Sequence, residues 1–291
     1  MRIPELRLPS AVLESLQALA ARQSLEQIEA RALDPEGRRG LAAELASPDW
    51  EVFVAELSRA WRAHDHAVVR ALPCVDGSAT ILVALALRAP FKPYRGDKIV
   101  KHFKMSPWTT ELSQTLGEGH FHTDLSTASA PPRVTLIHCR EPDPSEGQGA
   151  VRVARLVDLL AALRERGADE ILRFLLEDEV EMVDERARGS WTGVMARAEA
   201  IRFHPETLRA AKARNSSPSD TLERQLAGLR EAALSVSTPI PLGRGDALFV
   251  SNTRALHYRG ACTVRYVEFP RRFEAREIHV LHLRDEPQWP E

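Results

Sequence analysis

His122 and Asp124 are two metal-ligating side chains that stand two residues apart in the segment GHFHTDLS. In an extended strand, side chains at this spacing leave the same face, with their Cα atoms roughly 6.5 Å apart, so both could contact one ion. A third ligand must come from elsewhere, and the best candidate is His257, which ends the segment GDALFVSNTRALH, beyond a predicted strand. Two neutral imidazoles and one carboxylate leave three positions of an octahedral ion open, which lets Fe(II) hold a bidentate co-substrate and O2 together.

His120 extends this pattern to H-x-H-x-D, which also opens the zinc site of metallo-β-lactamase-like hydrolases. Those hydrolases usually carry a further histidine directly after the aspartate, whereas Leu125 follows Asp124 here. We therefore interpret His120 as a pocket residue near the metal ligands and keep a zinc-dependent hydrolase as an alternative function.

The elements that must position these residues alternate between helical and strand-forming stretches. Apolar residues recur at helical spacing over 10–47 and 48–64; strand patterns follow over 67–72, 98–105, 120–125, 133–139 and 150–153, and 80–87 is ambiguous. Two helices follow: an amphipathic one over 156–176 and another after residue 218, capped by Ser219 or Asp220. The chain then returns to strands, over 238–242, 247–250, 265–269 and 277–283. This order predicts a mainly β core with flanking and inserted α-helices.

We expect one domain over residues 1–291, because no shift in composition marks a linker. Residues 1–65 are predicted to form an N-terminal helical segment packed on the β core, and residues 155–235 a helical insertion. The stretches 90–98 and 184–215, the second of them highly charged, are predicted to cover the site as lids.

The composition excludes several classes of partner. The 39 Lys+Arg and 41 Asp+Glu residues leave a net charge of -2, so neither a nucleic acid nor an anionic membrane surface is expected to bind. No apolar run approaches the roughly 18 residues of a membrane span, and charged residues interrupt the N-terminal leucines where a signal peptide is apolar. The three cysteines lack a C-x-x-C pair, which predicts reduced thiols in a cytoplasmic protein: Cys74, Cys139 and Cys262. A small molecule is the expected partner, and the oligomeric state is left open.

The longest set of motifs runs from about residue 113 to 278. It comprises H-T-D followed by two prolines, a strand ending in Cys-Arg, the turn PDPSEGQG, and G-D-x-L-F-x-x-N-x-R-x-L-H. In these motifs the chain resembles the taurine dioxygenase (TauD/TfdA) and clavaminate synthase-like family of Fe(II)- and 2-oxoglutarate-dependent oxygenases. The resemblance implies a double-stranded β-helix of jelly-roll or cupin type. It also implies iron bound by His122, Asp124 and His257, with 2-oxoglutarate as the chelating co-substrate and O2 as the oxidant.

Two arginines are implied as ligands of 2-oxoglutarate. Proteins of this family carry an R-x-x-x-R pair after the distal histidine, and Arg272 and Arg276 stand 15 and 19 residues after His257. A guanidinium suits bidentate binding of a carboxylate. Arg272 is therefore predicted to bind the distal carboxylate of 2-oxoglutarate, and Arg276 to bind 2-oxoglutarate or the substrate. Arg271 would replace Arg272 if a bulge shifts the register.

One position departs from the family pattern. Relatives have a threonine after a Gly-Gly turn, and its hydroxyl contacts the 2-oxoglutarate carboxylate; aligning that turn on 147–149 puts Ala150 there. The co-substrate is then held by another group, or bound more weakly, or the turn aligns differently. Asn252 and Arg254 lead to His257 and either support that ligand by hydrogen bonds or are plain polar residues of a strand edge.

The resemblance implies that the chain is an oxidoreductase. Its catalytic domain is expected to convert 2-oxoglutarate by oxidative decarboxylation into succinate and CO2, and to couple this step to the abstraction of hydrogen from a small molecule. An amino acid or a natural-product intermediate fits this substrate class. Hydroxylation is the expected outcome, and the carboxylate of Asp124 occupies the position that a halogenase leaves to chloride. Desaturation and cyclisation stay open, because both begin with the same abstraction. Besides the zinc hydrolase, a non-catalytic binding protein of the same fold is an alternative.

Overall fold

Helices flank and interrupt the strands in the computed structural model, which describes residues 3–184, 186, 189–197, 199–215 and 220–289. Its helices are α1 (Ser10–Arg22), α2 (Leu25–Leu33), α3 (Pro35–Leu45), α4 (Pro48–His64), α5 (Ser78–Ala84), α6 (Leu156–Glu165), α7 (Asp169–Leu176), α8 (Pro205–Asn215) and α9 (Asp220–Val236). Its strands are β1 (Glu5–Arg7), β2 (His66–Arg70), β3 (Phe91–Lys92), β4 (Lys101–Lys104), β5 (Val134–Glu141), β6 (Val151–Arg155), β7 (Glu179–Asp184), β8 (Gly189–Val194), β9 (Ala196–Arg197), β10 (Ala200–Ile201), β11 (Ala247–Ser251), β12 (Ala255–Arg259), β13 (Val264–Glu268), β14 (Arg272–Ala275) and β15 (Glu277–Leu283).

The larger sheet has β5 at its centre, antiparallel to both β11 and β15. The strand order is β1-β2-β11-β5-β15-β3, and β4 pairs with β15 next to β3. The first six residues of β5 are all buried, because other layers cover both faces of this sheet.

The smaller sheet is built on β12, which is antiparallel to β6 and places His257 opposite Val153. Single bridges extend the pair on both sides, from His122 to His257 and from Ile240 to Val151. Both sheets contribute to the apolar cluster between them, which includes Ile137, Cys139, Val153, Val250 and Val280. Two facing sheets around one core form a double-stranded β-helix, so the predicted fold class is confirmed.

Helices α1 to α5 cover the outer face of the larger sheet. One apolar cluster joins them to it and includes Leu16, Phe53, Trp61, Leu136 and Phe249. Helices α2, α3 and α4 begin where Ser24, Asp34 and Ser47 accept a backbone N–H of the first turn, and α4 covers the predicted range 48–64. The ambiguous stretch 80–87 forms most of α5 and a following 3-10 turn, with its apolar side chains buried.

Helices α6, α7 and α9 cover the outer face of the smaller sheet. The shared cluster includes Leu159, Leu163, Leu229, Phe121, Leu256 and Tyr258. The single helix predicted over 156–176 is two helices, because Gly167, with φ +62°, ends the first. Helix α9 begins at Asp220, and the other predicted cap, Ser219, lies outside the described residues. None of the helices described here is long and apolar enough to cross a membrane.

The strand predicted over 120–125 is not formed in the described structure. Only His122 makes a bridge there. The N–H of Thr123 donates to the carbonyl of Phe203, 2.7 Å away, and Asp124 begins a turn in which Leu125 has φ +52°. The inference that His122 and Asp124 share one face of a strand is therefore wrong, although their side chains do converge.

The strand predicted over 238–242 is also reduced to a single bridge at Ile240. Pro239 and Pro241 flank it and have no N–H to donate to a ladder. The chain still follows the edge of the smaller sheet at this point, since Ile240 and Val151 exchange both backbone hydrogen bonds.

Candidate metal centre

Backbone pairing brings His122 and His257 side by side. Each donates its N–H to the other's carbonyl, at 3.0 and 3.1 Å, and the ring centroids are 4.3 Å apart. His257 lies in the middle of β12, whereas the sequence predicted it beyond the end of a strand. The Nδ1 atom of His122 lies 2.7 Å from the carbonyl oxygen of His120. A proton on Nδ1 satisfies this contact and leaves the Nε2 lone pair for a metal.

Asn252 holds the backbone of Asp124 from both sides. Its Oδ1 accepts the N–H of Asp124 at 2.6 Å, and its Nδ2 donates to the carbonyls of Asp124 and Pro132 at 3.1 and 2.9 Å. Asn252 therefore orients Asp124 rather than His257. Arg254 serves neither ligand, because its Nε donates to Asp65 at 2.6 Å.

The carboxylate of Asp124 points one oxygen at the two histidines. Its Oδ1 is 3.5 Å from Nε2 of His122 and 3.6 Å from Nε2 of His257. Its Oδ2 accepts the hydroxyl of Thr135 at 2.6 Å and lies 3.1 Å from Nε2 of His282. One ligand atom from each of His122, Asp124 and His257 lies within 4.8 Å of the others, a spacing that one ion can bridge. The donor set therefore fits a divalent transition metal.

The charges of the three side chains suit a cation. Burial alone would raise the pKa of Asp124, yet the charge of His257 and hydrogen bonds from the surrounding histidines hold that pKa well below its ordinary value. Burial lowers the pKa of His257. Burial also disfavours a charged His122, but Asp124 beside it raises the pKa of that imidazole. An anionic carboxylate thus lies between two imidazoles. A divalent transition metal binds a carboxylate and imidazoles in these deprotonated forms.

His120 does not join the three converging side chains. Its Nε2 lies 3.0 Å from Oε1 of Glu206, and the converging group within the described residues consists of His122, Asp124 and His257. The zinc-hydrolase alternative needs His120 as a ligand and has no support in this arrangement.

Arg276 and Arg272 lie in different environments. Arg276 is 2% exposed, and its Nη2 is buried without a hydrogen-bond partner among the residues described. Burial lowers the pKa of Arg276, so its charge is poorly compensated by the protein alone. Arg272 on β14 is exposed, and so is Arg271 before it. Of the three predicted candidates, Arg276 is therefore the buried one.

The turn 147–149 lies against Arg276. Gly149 has φ +65°, and a Cβ atom there would lie 2.8 Å from Cδ of Arg276, so a side chain would collide with it. Ala150 follows directly, and its carbonyl accepts the N–H of Gly260 at 2.8 Å. Ala150, which aligns with the threonine implied by the resemblance, thus directly follows the glycine that lies against Arg276. Ala150 has no hydroxyl to offer.

Three residues beside the ligands were missed by the sequence analysis. Thr135 and His282 stand opposite each other on β5 and β15, and both contact Asp124. His204, just before α8, has its ring centroid 5.1 Å from that of His122, and burial lowers the pKa of His204 to about 3. No motif marks these residues. His282 lies in a correctly predicted strand, but its partner depends on the register of the sheet.

Comparison with known proteins agrees with this architecture. The sequence matches the family described as taurine catabolism dioxygenase TauD, TfdA family over residues 29–268. A structure of asparagine oxygenase with Fe(II), 2S,3S-3-hydroxyasparagine and succinate has a TM-score of 0.72 and 15% identity, covering 97% of this chain and 94% of that one. The non-heme iron oxygenase OrfP with Fe and alpha-ketoglutaric acid has a TM-score of 0.67 and 18% identity, covering 97% and 94%. OrfP with Fe and L-Arg has a TM-score of 0.64 and 20% identity, covering 96% and 93%. No curated protein sequence matches the chain.

Proposed function

The chain belongs to the TauD/TfdA family and is an Fe(II)- and 2-oxoglutarate-dependent oxygenase, and on this premise we propose that His122, Asp124 and His257 hold its ferrous ion. The observation that carries the proposal is the approach of Asp124 Oδ1 to both Nε2 atoms at 3.5 and 3.6 Å, with the second oxygen already engaged. Iron bound by such a facial triad supplies O2 activation, driven by decarboxylation of 2-oxoglutarate to succinate and CO2.

Arg276 is the proposed ligand of the distal carboxylate of 2-oxoglutarate, in place of the predicted Arg272. Its guanidinium is buried just before β15 and lies against Gly149, the residue before Ala150, which stands where the resemblance places a threonine that contacts 2-oxoglutarate. A buried cation without a carboxylate partner is stabilised when an anionic ligand arrives, whereas an exposed arginine such as Arg272 gains less from the same contact.

The proposed substrate is a small molecule of the amino-acid class, and the proposed reaction is its hydroxylation. Two of the similar structures support this class, since their ligands are hydroxyasparagine and L-arginine. Asp124 keeps a carboxylate at the ligand position, as a hydroxylating site requires. The three free thiols are consistent with a reducing compartment, and we place the enzyme in the cytoplasm.

The test is anaerobic titration of the purified protein with Fe(II) and then 2-oxoglutarate. The visible absorption band of the iron-bound keto acid should appear in the wild type. In Arg276→Met, the Kd for 2-oxoglutarate should rise about 10- to 100-fold, because a charge-assisted contact is lost. The Kd for Fe(II) should not change, because the three ligands remain.

Arg272→Met is the matched control, since it removes the same charge at an exposed position four residues away. It should leave both dissociation constants within about twofold. A larger effect of Arg272→Met than of Arg276→Met would reverse this assignment. Absence of the band and of succinate formation in the wild type would overturn the proposed function itself.

A further inference from the structure

A short segment before α8 forms a wall beside the proposed iron ligands. Phe203 is buried in the helical layer and makes two hydrogen bonds with Thr123: the N–H of Thr123 donates to the carbonyl of Phe203 at 2.7 Å, and the N–H of Phe203 donates to the side-chain Oγ1 of Thr123 at 3.0 Å. His204 follows and lies against His122. Arg202, on the other side of Phe203, therefore lies alongside the loop that follows Asp124.

Arg202 is held in place by two neutral contacts. Its Nη1 donates to the carbonyl of Ala128 at 3.3 Å, four residues after Asp124, and its Cζ lies 4.8 Å from the ring centroid of Trp191. The contact with Trp191 stabilises the position of the guanidinium but does not neutralise its charge. Within the described residues, Arg202 makes no ion pair with a carboxylate.

The surroundings of Arg202 add further positive charge. Burial and the neighbouring charge of Arg133 lower the pKa of Arg202. Lys92 donates to the carbonyl of Ala130 at 3.0 Å, and the described residues offer neither Lys92 nor Arg133 an ion-pair partner. Among the described residues, the loop after Asp124 is thus bordered by three cations without an ion-pair partner, which favours an anionic ligand.

We propose that Arg202, fixed on Trp191, is a specificity-determining residue that receives the carboxylate of the substrate. The inference rests on the proposed function, since it places this carboxylate in the same open site. A planar guanidinium with free N–H groups binds a carboxylate through two parallel hydrogen bonds. The contacts with Ala128 and Trp191 orient the side chain before the ligand arrives, so little conformational entropy is lost on binding.

The test compares acids with their matching amides on the wild type loaded anaerobically with Fe(II) and 2-oxoglutarate. The probes are the proteinogenic L-amino acids and taurine, followed by the primary amide of each carboxylic acid that perturbs the absorption band. The acid should bind about 10- to 100-fold more tightly than its amide, the range of a charge-assisted hydrogen bond. Equal binding of acid and amide, or no response to any probe, overturns the proposal.

Variants assign the preference to one side chain. Arg202→Met should abolish the difference between acid and amide while leaving the Kd for 2-oxoglutarate unchanged, and Arg202→Lys should retain part of it, because charge remains without the planar fork. Arg197→Met is the matched control on the neighbouring strand β9, where the side chain is exposed, and it should keep the full preference. A preference that survives in Arg202→Met contradicts the proposal. Absence of the 2-oxoglutarate band in the wild type would instead point to failure of the proposed function.

Discussion

The two oxygens of Asp124 have different tasks. Thr135 and His282 hold Oδ2, and Oδ1 is left facing the two imidazoles. Asn252 holds the backbone of the same residue, so the carboxylate is oriented from three sides without any strand ladder. Groups that orient a metal ligand in this way raise the affinity of the site for its metal ion, because the ligand side chain loses less conformational freedom when the ion binds.

Thr135→Val tests how much one hydroxyl contributes to the orientation of the Asp124 carboxylate. The substitution keeps the shape of a fully buried side chain and removes the donor to Asp124 Oδ2. The Kd for Fe(II) should rise about tenfold, measured by anaerobic titration, because the carboxylate loses one of the groups that orient it. Thr192→Val, on the exposed side of β8, is the matched control and should leave the Kd unchanged. An unchanged Kd in Thr135→Val would mean that His282 and Asn252 suffice.

At the scale of elements, three neighbouring strands carry a row of histidines on the larger sheet. His279 on β15 lies between His102 on β4 and His138 on β5, with ring centroids 5.5 and 5.6 Å away. Helix α5 covers the inner end of the row, where Thr80 Oγ1 is 2.8 Å from Nδ1 of His138. Burial lowers the pKa of His138 to about 3 and the pKa of His279 to about 4. Both side chains are therefore neutral in the folded protein.

The row predicts loss of stability in acid. In the unfolded chain a histidine titrates at about pH 6.5. Between that pH and about pH 4, the unfolded state binds protons that the folded state does not. The free energy of unfolding should therefore fall as the pH falls, by about 1.4 kcal/mol per pH unit for each histidine.

Urea unfolding of His138→Gln across this pH range measures the contribution of one histidine. The slope between pH 6 and pH 4 should decrease by about 1.4 kcal/mol per pH unit relative to the wild type. Equal slopes in the wild type and His138→Gln would show that His138 is protonated in the folded state.

At the scale of the whole molecule, four layers follow one another: helices, larger sheet, smaller sheet, helices. The cluster that holds α1 to α5 on the larger sheet includes Leu136 and Leu283, the neighbours of Thr135 and His282 on the same strands. The packing of the N-terminal helices is thus continuous with the strands that orient Asp124. This continuity supports the prediction of one domain over residues 1–291, which stays a prediction.

Phe53→Ala tests the single domain. Phe53 is fully buried on α4, and its loss should lower the free energy of unfolding by about 3–5 kcal/mol, by removing contacts and leaving a cavity. Calorimetry should show one transition at a lower Tm, and Fe(II) binding should be lost over the same temperatures. Val52→Ala, next to it but 55% exposed, should change the free energy of unfolding by no more than about 0.5 kcal/mol. Two separate transitions, with iron still bound after the first, would make the N-terminal helices an independent unit.

The sequence was sufficient for features that short stretches of chain encode. Helix α4 spans the predicted range 48–64, and strand β15 spans the predicted range 277–283. The three residues His122, Asp124 and His257 could be named because their types and order are themselves the motif. Two wrong predictions show the limit of such patterns. Polar and apolar residues alternate over 120–125, but tertiary hydrogen bonds keep this segment out of a ladder. Helical spacing continues through Gly167, but the positive φ of that residue ends the helix.

The tertiary structure was needed to establish which arginine is buried, how Asp124 is oriented, and which side chain borders the loop after Asp124. Arg272 and Arg276 are equivalent in a motif, and their separation into surface and interior depends on where β14 ends and β15 begins. Thr135 and His282 reach Asp124 from distant parts of the chain through the register of the sheet, and Arg202 reaches the loop after Asp124 through its contact with Ala128. Residue types and spacing report chemistry and local conformation, whereas burial and long-range contact arise from the packing of all layers together.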